Sequence, residues 1–172
     1  MRKRVVTLVG VAALVAGCGG DVGGKPVATQ RWDPCSVTPE AVKATGLDPV
    51  YRSEGWGEGI EVPDWSLCTL RGPAQEPSYF LNVKSSDTHT IGEARQNESY
   101  LNGTDLRIAD RDAYRFRTQM SRSITDCNIA VAVPPGVVVF SVHSMGTMEI
   151  GADPCVLVLQ HATELENGLP PL

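Results

Sequence analysis

Ser141 and His143 stand two residues apart in an extended run that places Val137 and Val139 on the same side of the chain. A serine beside a histidine suggests acyl transfer, in which the imidazole takes the hydroxyl proton as the oxygen attacks a carbonyl. That chemistry needs a Ser–His hydrogen bond, an acid that orients the imidazole, and donors for the oxyanion. Side chains at i and i+2 of a strand lie about 7 Å apart, and no G-x-S-x-G turn is present to expose a nucleophile. The pair therefore reads as a surface serine and histidine, and no catalytic residue is assigned. His161 reads as solvated beside Glu164, and His89 falls just before a helix cap without a partner. No P-loop or dinucleotide fingerprint occurs, so no cofactor is implied.

The five cysteines carry a different chemistry. Cys18 closes Leu14-Val15-Ala16-Gly17-Cys18, behind the charged start Arg2-Lys3-Arg4 and the apolar stretch from Val5 to Ala16. This is the layout of a bacterial export signal ending in a lipobox, at which a diacylglyceryl group is joined to the thiol and residues 1–17 are removed. The apolar stretch is too short to span a membrane, which takes about 20 residues. Two or more acyl chains on one residue hold firmly where a single chain is marginal. The expected location is the outer face of the cytoplasmic membrane.

Removal of the signal takes three of the 15 basic residues, so the mature chain keeps 12 against 20 acidic ones, a net charge of −8. So acidic a domain is a poor partner for nucleic acid. The glycine-rich residues 18–32 read as a lipidated tether with a reach of roughly 20 Å, and 33–172 as one extracytoplasmic domain. The remaining Cys35, Cys68, Cys127 and Cys155 read as two disulfides with three possible connectivities. No CxxC pair occurs and the histidines are scattered, so no metal ligand is assigned.

The elements that position these cysteines are legible. Thr38 with Pro39 opens a short helix stopped at Gly46, and residues 53–64 form a glycine-rich loop. Strands are expected at 66–71, 79–84, 105–109, 114–118, 126–133 and 137–143, with a turn at Pro134-Pro135-Gly136. Thr90 and Glu93 make a capping box for a helix carrying Ile91, Ala94 and Leu101 on one side. Asp153 and Pro154 open a last helix running to about Glu166. Cys127, Ile129, Val131 and Val133 share one strand face, while Cys155, Val158, Leu159, Ala162 and Leu165 form one helical stripe. Both cysteines therefore face the core, which pairs Cys127 with Cys155 and leaves Cys35 for Cys68. Each bridge closes a loop of about 30 residues, worth roughly 3.5–4 kcal/mol in the chain-entropy account.

The lipobox, the glycine-rich tether, Asp33-Pro34-Cys35 before a Thr-Pro-Glu helix start, Cys68, Cys127 and Asp153-Pro154-Cys155 together resemble the actinobacterial lipoprotein family termed domain of unknown function 3558. Leu70 stands where that family often has a tryptophan. The resemblance spans nearly the whole mature chain and implies an architecture but no activity.

The expected fold is α+β, a single mostly antiparallel sheet with helices packed on it and two disulfides. The expected function is a non-enzymatic binding or accessory lipoprotein meeting an envelope glycan, lipid or protein. The alternatives are a carrier of lipid-like ligands in a pocket between sheet and helices, and a hydrolase as the lesser one. Possible recognition residues are Arg115 and Arg117, whose strand alternates them with Tyr114 and Phe116 amid Arg107, Arg111 and Arg122, and Trp56, flanked by glycines in the 53–64 loop. Cys18→Ala is expected to leave an unprocessed precursor or release the protein from membranes, read by fractionation and intact mass; unchanged mass and fractionation would remove the anchor.

Overall fold

The alternation in 127–133 holds in three dimensions. Cys127, Ile129, Val131 and Val133 are buried in one core, while Ala130 is buried in another on the opposite face. The computed structural model describes residues 30–119, 125–146 and 148–172; Cys18, most of the tether and Arg122 lie outside them. Seven strands, β1 (Arg52–Glu54), β2 (Ser66–Gly72), β3 (Tyr79–Ser86), β4 (Leu101–Ile108), β5 (Arg111–Gln119), β6 (Thr125–Val133) and β7 (Gly136–Ser144), form one antiparallel sheet. Their order is β1-β2-β3-β7-β6-β5-β4. The expected α+β architecture is the one found. Strand β1, assigned to the glycine-rich loop from sequence, is a three-residue edge strand with every residue exposed, so no apolar alternation marks it.

Among the described residues three α-helices complete the fold. In α1 (Pro39–Ala44) the Thr38 hydroxyl accepts from the Ala41 amide at 3.2 Å, and Gly46 ends the turn with a φ of 78°. In α2 (Ile91–Gln96) both halves of the capping box form: the Glu93 amide donates to Thr90 Oγ1 at 3.3 Å, and the Thr90 amide to Glu93 Oε2 at 2.8 Å. This helix stops before Leu101, which begins β4 and is 44% exposed. In α3 (Pro154–Glu164) the Asp153 carboxylate accepts from the Cys155 amide at 2.8 Å.

Helix α3 lies across one face of the sheet, where Val158, Ala162 and Leu165 meet Leu81, Val83, Ile129, Phe140 and Val142. The bridge Cys127–Cys155 fastens this contact with a Cα–Cα distance of 5.0 Å. Cys35–Cys68, with 5.1 Å between Cα atoms, ties the turn Pro34–Ser36 to β2. Arg52 reinforces that end, donating to the Cys35 and Val37 carbonyls at 2.6 Å each. Trp32 also packs against this core, and its carbonyl accepts from Ser85 Oγ. At the turn into β7, Gly136 has a φ of 141°, and a Cβ there would lie 2.2 Å from the Ser86 carbonyl oxygen.

One residue of α3 departs from expectation. His161 is 1% exposed, whereas Leu159, placed on the stripe from sequence, is 37% exposed. Counting i, i+3, i+4 and i+7 from Val158 gives His161, Ala162 and Leu165, so helical geometry selects the histidine over the more apolar neighbour. The Tyr79 hydroxyl, 2.8 Å from His161 Nε2, makes that burial tolerable. Nδ1 has no hydrogen-bond partner and lies 3.9 Å from a Glu164 carboxylate oxygen. Burial lowers the imidazole from 6.5 to about 4. The unfolded chain therefore takes up this proton first as pH falls. The stability it confers is complete above pH 6.5 and is lost towards pH 4, by about 3 kcal/mol at ~1.4 kcal/mol per pH unit. Melting curves of wild type and His161→Gln are expected to differ most at pH 7.5 and to converge by pH 4.5; parallel curves would place the proton uptake elsewhere.

Candidate ligand-binding cleft

The sheet face opposite α3 is only partly covered. The register of its central strands sorts that face into cross-strand rows. Asn82, Ser141, Asn128 and Phe116 lie side by side in one row, and Lys84, Val139, Ala130 and Tyr114 in the next, followed by Ser86, Val137 and Ala132. On the other side of the Ser141 row, Phe80 pairs with His143 and Thr118 with Asp126. The face thus changes along the strands from hydrogen-bonding groups at the His143 end to valine and alanine at the Val137 end. Rows repeat every two residues, about 7 Å.

Over the apolar rows sit Ile91 and Ala94 of α2, together with Trp65 and Tyr100, which with Tyr114 of β5 pack against the cluster of Phe116, Ala130, Val137 and Val139. Tyr100 stacks on Phe116 with ring centroids 3.9 Å apart. Trp65 stacks on His89 at 5.0 Å, and His89 Nδ1 lies 3.2 Å from Glu93 of the capping box, so the loop before β2 and the start of α2 form one connected wall. Between wall and sheet lies a cleft of about 660 Å³, lined by both the apolar rows and the polar ones.

The polar end contains buried atoms without a hydrogen-bond partner. There Asp126 is 7% and Ser141 5% exposed, and Asp126 Oδ1 and Ser141 Oγ are unsatisfied; the indole Nε1 of Trp56, elsewhere in the cleft lining, is unsatisfied too. Lys84 lines the same cleft and forms no ion pair among the described residues. Burial pulls the Lys84 ammonium below its ordinary value, with Asp126 opposing. Burial raises the Asp126 carboxyl, opposed by His143 and Lys84. Burial likewise lowers His143, Asp126 again opposing while Lys84 adds to the shift. Two partners are already satisfied within the protein: Asn128 Nδ2 donates to Thr118 Oγ1 at 3.1 Å, and Thr69 Oγ1 to Asn82 Oδ1 at 2.8 Å.

A model of the family described as Protein of unknown function (DUF3558) matches residues 13–167. The chain belongs to that family. No curated protein and no solved structure matches it. The matched region includes Cys18, both disulfides and all seven strands, but the family description assigns no activity, so the chemistry has to be read from the geometry.

Ser141 and His143 are not surface residues: one is buried and the other half-buried on the cleft floor, because α2 and the tryptophan loop cover a face whose sequence looks solvent-directed. Ser141 Oγ makes no hydrogen bond to His143, so the base–nucleophile contact of a hydrolase is not formed. His89, without a partner in sequence, acquires Trp65 and Glu93. Trp56 is half-buried in the cleft wall. Arg115 and Arg117 lie on the other face of the sheet, the one α3 covers. There Arg117 Nη2 bonds Asp153 at 2.9 Å and braces the α3 N-terminus, which Arg115 also neighbours. Arg111 is 5% exposed and pairs with Glu166 at 2.9 Å. Arg107 donates to the Asp110 carbonyl. Three of these four arginines lie on β5 and one on β4, and Arg107, Arg111 and Arg117 already meet protein acceptors.

Lys84, Asp126, Asn128 and Asn82 were not singled out from sequence. Each alternates with apolar residues along its strand, as on a solvent-facing sheet, and only the strand register sets them apart. Among the described residues no three His, Cys, Asp or Glu side chains converge on a metal position, and no helix is long and apolar enough to cross a membrane. Thr90→Ala removes the cap of α2 and is expected to cost about 1 kcal/mol. Melting should fall by a few degrees, with faster amide exchange concentrated in 91–96; unchanged exchange there would show that the wall does not depend on the cap.

Proposed function

We propose that this protein is a non-enzymatic binding lipoprotein of the cell envelope, held at the outer face of the cytoplasmic membrane through Cys18, whose ligand occupies the cleft beneath α2. The observation that carries this reading is the set of buried, unpartnered polar atoms, Asp126 Oδ1, Ser141 Oγ and Trp56 Nε1, around a cleft with apolar walls. Leaving one such group without a partner costs about 1–3 kcal/mol, and a ligand bearing complementary groups recovers that cost. A volume of about 660 Å³ falls inside the range of roughly 300–1,000 Å³ usual for small-molecule sites. The apolar rows at Val137 and Val139 favour a carrier of amphiphilic molecules over an accessory surface for a protein. The arginine-rich strand, the other candidate surface, directs Arg117 to Asp153.

The uncharged apolar dye N-phenylnaphthylamine tests the cleft directly. It should bind with enhanced fluorescence, and Ala94→Trp, which fills the apolar end from α2, should weaken that binding at least tenfold with little change in melting temperature. Equal dye binding by the folded variant would remove the cleft as the site.

A further inference from the structure

The three orphaned atoms of the cleft differ in hydrogen-bonding type, and that difference specifies what must meet them. An indole N–H only donates, an ionised carboxylate oxygen only accepts, and a hydroxyl does both. Asp126 Oδ1, Ser141 Oγ and Trp56 Nε1 are the atoms concerned. A ligand head of one charge sign suits only part of this set. An anion leaves the Asp126 carboxylate facing a like charge, and a cation leaves Lys84 facing one. Lys84 and Asp126 carry opposite formal charges on the same cleft and form no ion pair with each other, so the floor offers little net charge to reward either ion. Hydroxyl groups, which donate and accept at several points, fit every member.

The apolar part of the ligand is located by the row register. Ser141 lies one row, about 7 Å, from Val139 and two rows from Val137, over which Ala94 and Trp65 close. We infer that the cleft binds an amphiphile with an uncharged, polyhydroxylated head, seated against Asp126 and Ser141, and a short apolar chain lying over Val139 and Val137 beneath α2, with the Trp56 indole N–H free to donate from the cleft wall. This inference rests on the cleft being the binding site and adds the chemistry of its occupant.

Titration calorimetry with four eight-carbon amphiphiles below their micelle concentrations tests it: octyl glucoside, octanoate, octylammonium and octylphosphocholine. Octyl glucoside should bind at least tenfold tighter than the other three. Asp126→Ala and Ser141→Ala, each checked for native melting, should each weaken the glucoside several-fold while leaving N-phenylnaphthylamine binding unchanged. Dye binding without a preference for the glucoside, or tighter binding of any charged or zwitterionic member, overturns the head-group assignment and leaves the cleft. Glucoside affinity unaltered by both alanine variants also overturns it. Absence of binding by the dye and all four amphiphiles overturns the cleft reading itself.

Discussion

Strand β3 ends against β7 in the middle of the sheet, whereas β4 begins at its far edge, so the chain between them has to travel across the faces of β7, β6 and β5. Residues 87–100 make that crossing. Four strand spacings of about 4.8 Å separate departure from arrival, a distance short enough for the crossing to include a capped helical turn and a bend. The crossing covers the face that α3 does not. Without it the row of Asn82, Ser141 and Asn128 would be an ordinary solvated sheet surface, and its polar groups would find water. With it, the same groups line an interior.

The two faces of the sheet are consequently closed in different ways. On the α3 side, complementary apolar surfaces and the Cys127–Cys155 bridge produce a continuous core with one tolerated imidazole. On the crossing side, a six-residue helix buries none of its own residues fully and is held by its capping box, by the His89–Trp65 stack and by Tyr100 on Phe116. A cover attached at a few points and standing off the sheet leaves a cleft where close packing would leave none. Strand β7 serves both faces: Val138, Phe140 and Val142 fill the core, while Val137, Val139 and Ser141 floor the cleft.

The sequence was most informative where local chemistry decides conformation. The Thr-Pro and Asp-Pro helix starts, the capping box and the alternation around Cys127 are satisfied within a few residues of chain, and from the last of these the disulfide pairing followed. The cleft was not legible, because its members are polar residues on strands, a pattern identical to that of a solvent-facing sheet. Only strand order shows that 82, 84, 126, 128 and 141 lie under a crossover. His161 illustrates the same limit: a histidine in a helix reads as polar until Tyr79, 82 residues away in sequence, is seen to satisfy it. The arginines of β5 were read as a charged face because their acceptor, Asp153, lies 36 positions downstream of Arg117.

Gly136 sits where the two halves of the sheet are sewn together, with its α-carbon turned against the carbonyl of Ser86 at the very residue from which the crossing departs. The gap there admits a hydrogen and nothing larger. Any side chain would prise the end of β3 away from the start of β7, lifting the root of the crossing from the sheet. The closeness of β3 and β7 at the root of the crossing thus depends on an atom that glycine lacks.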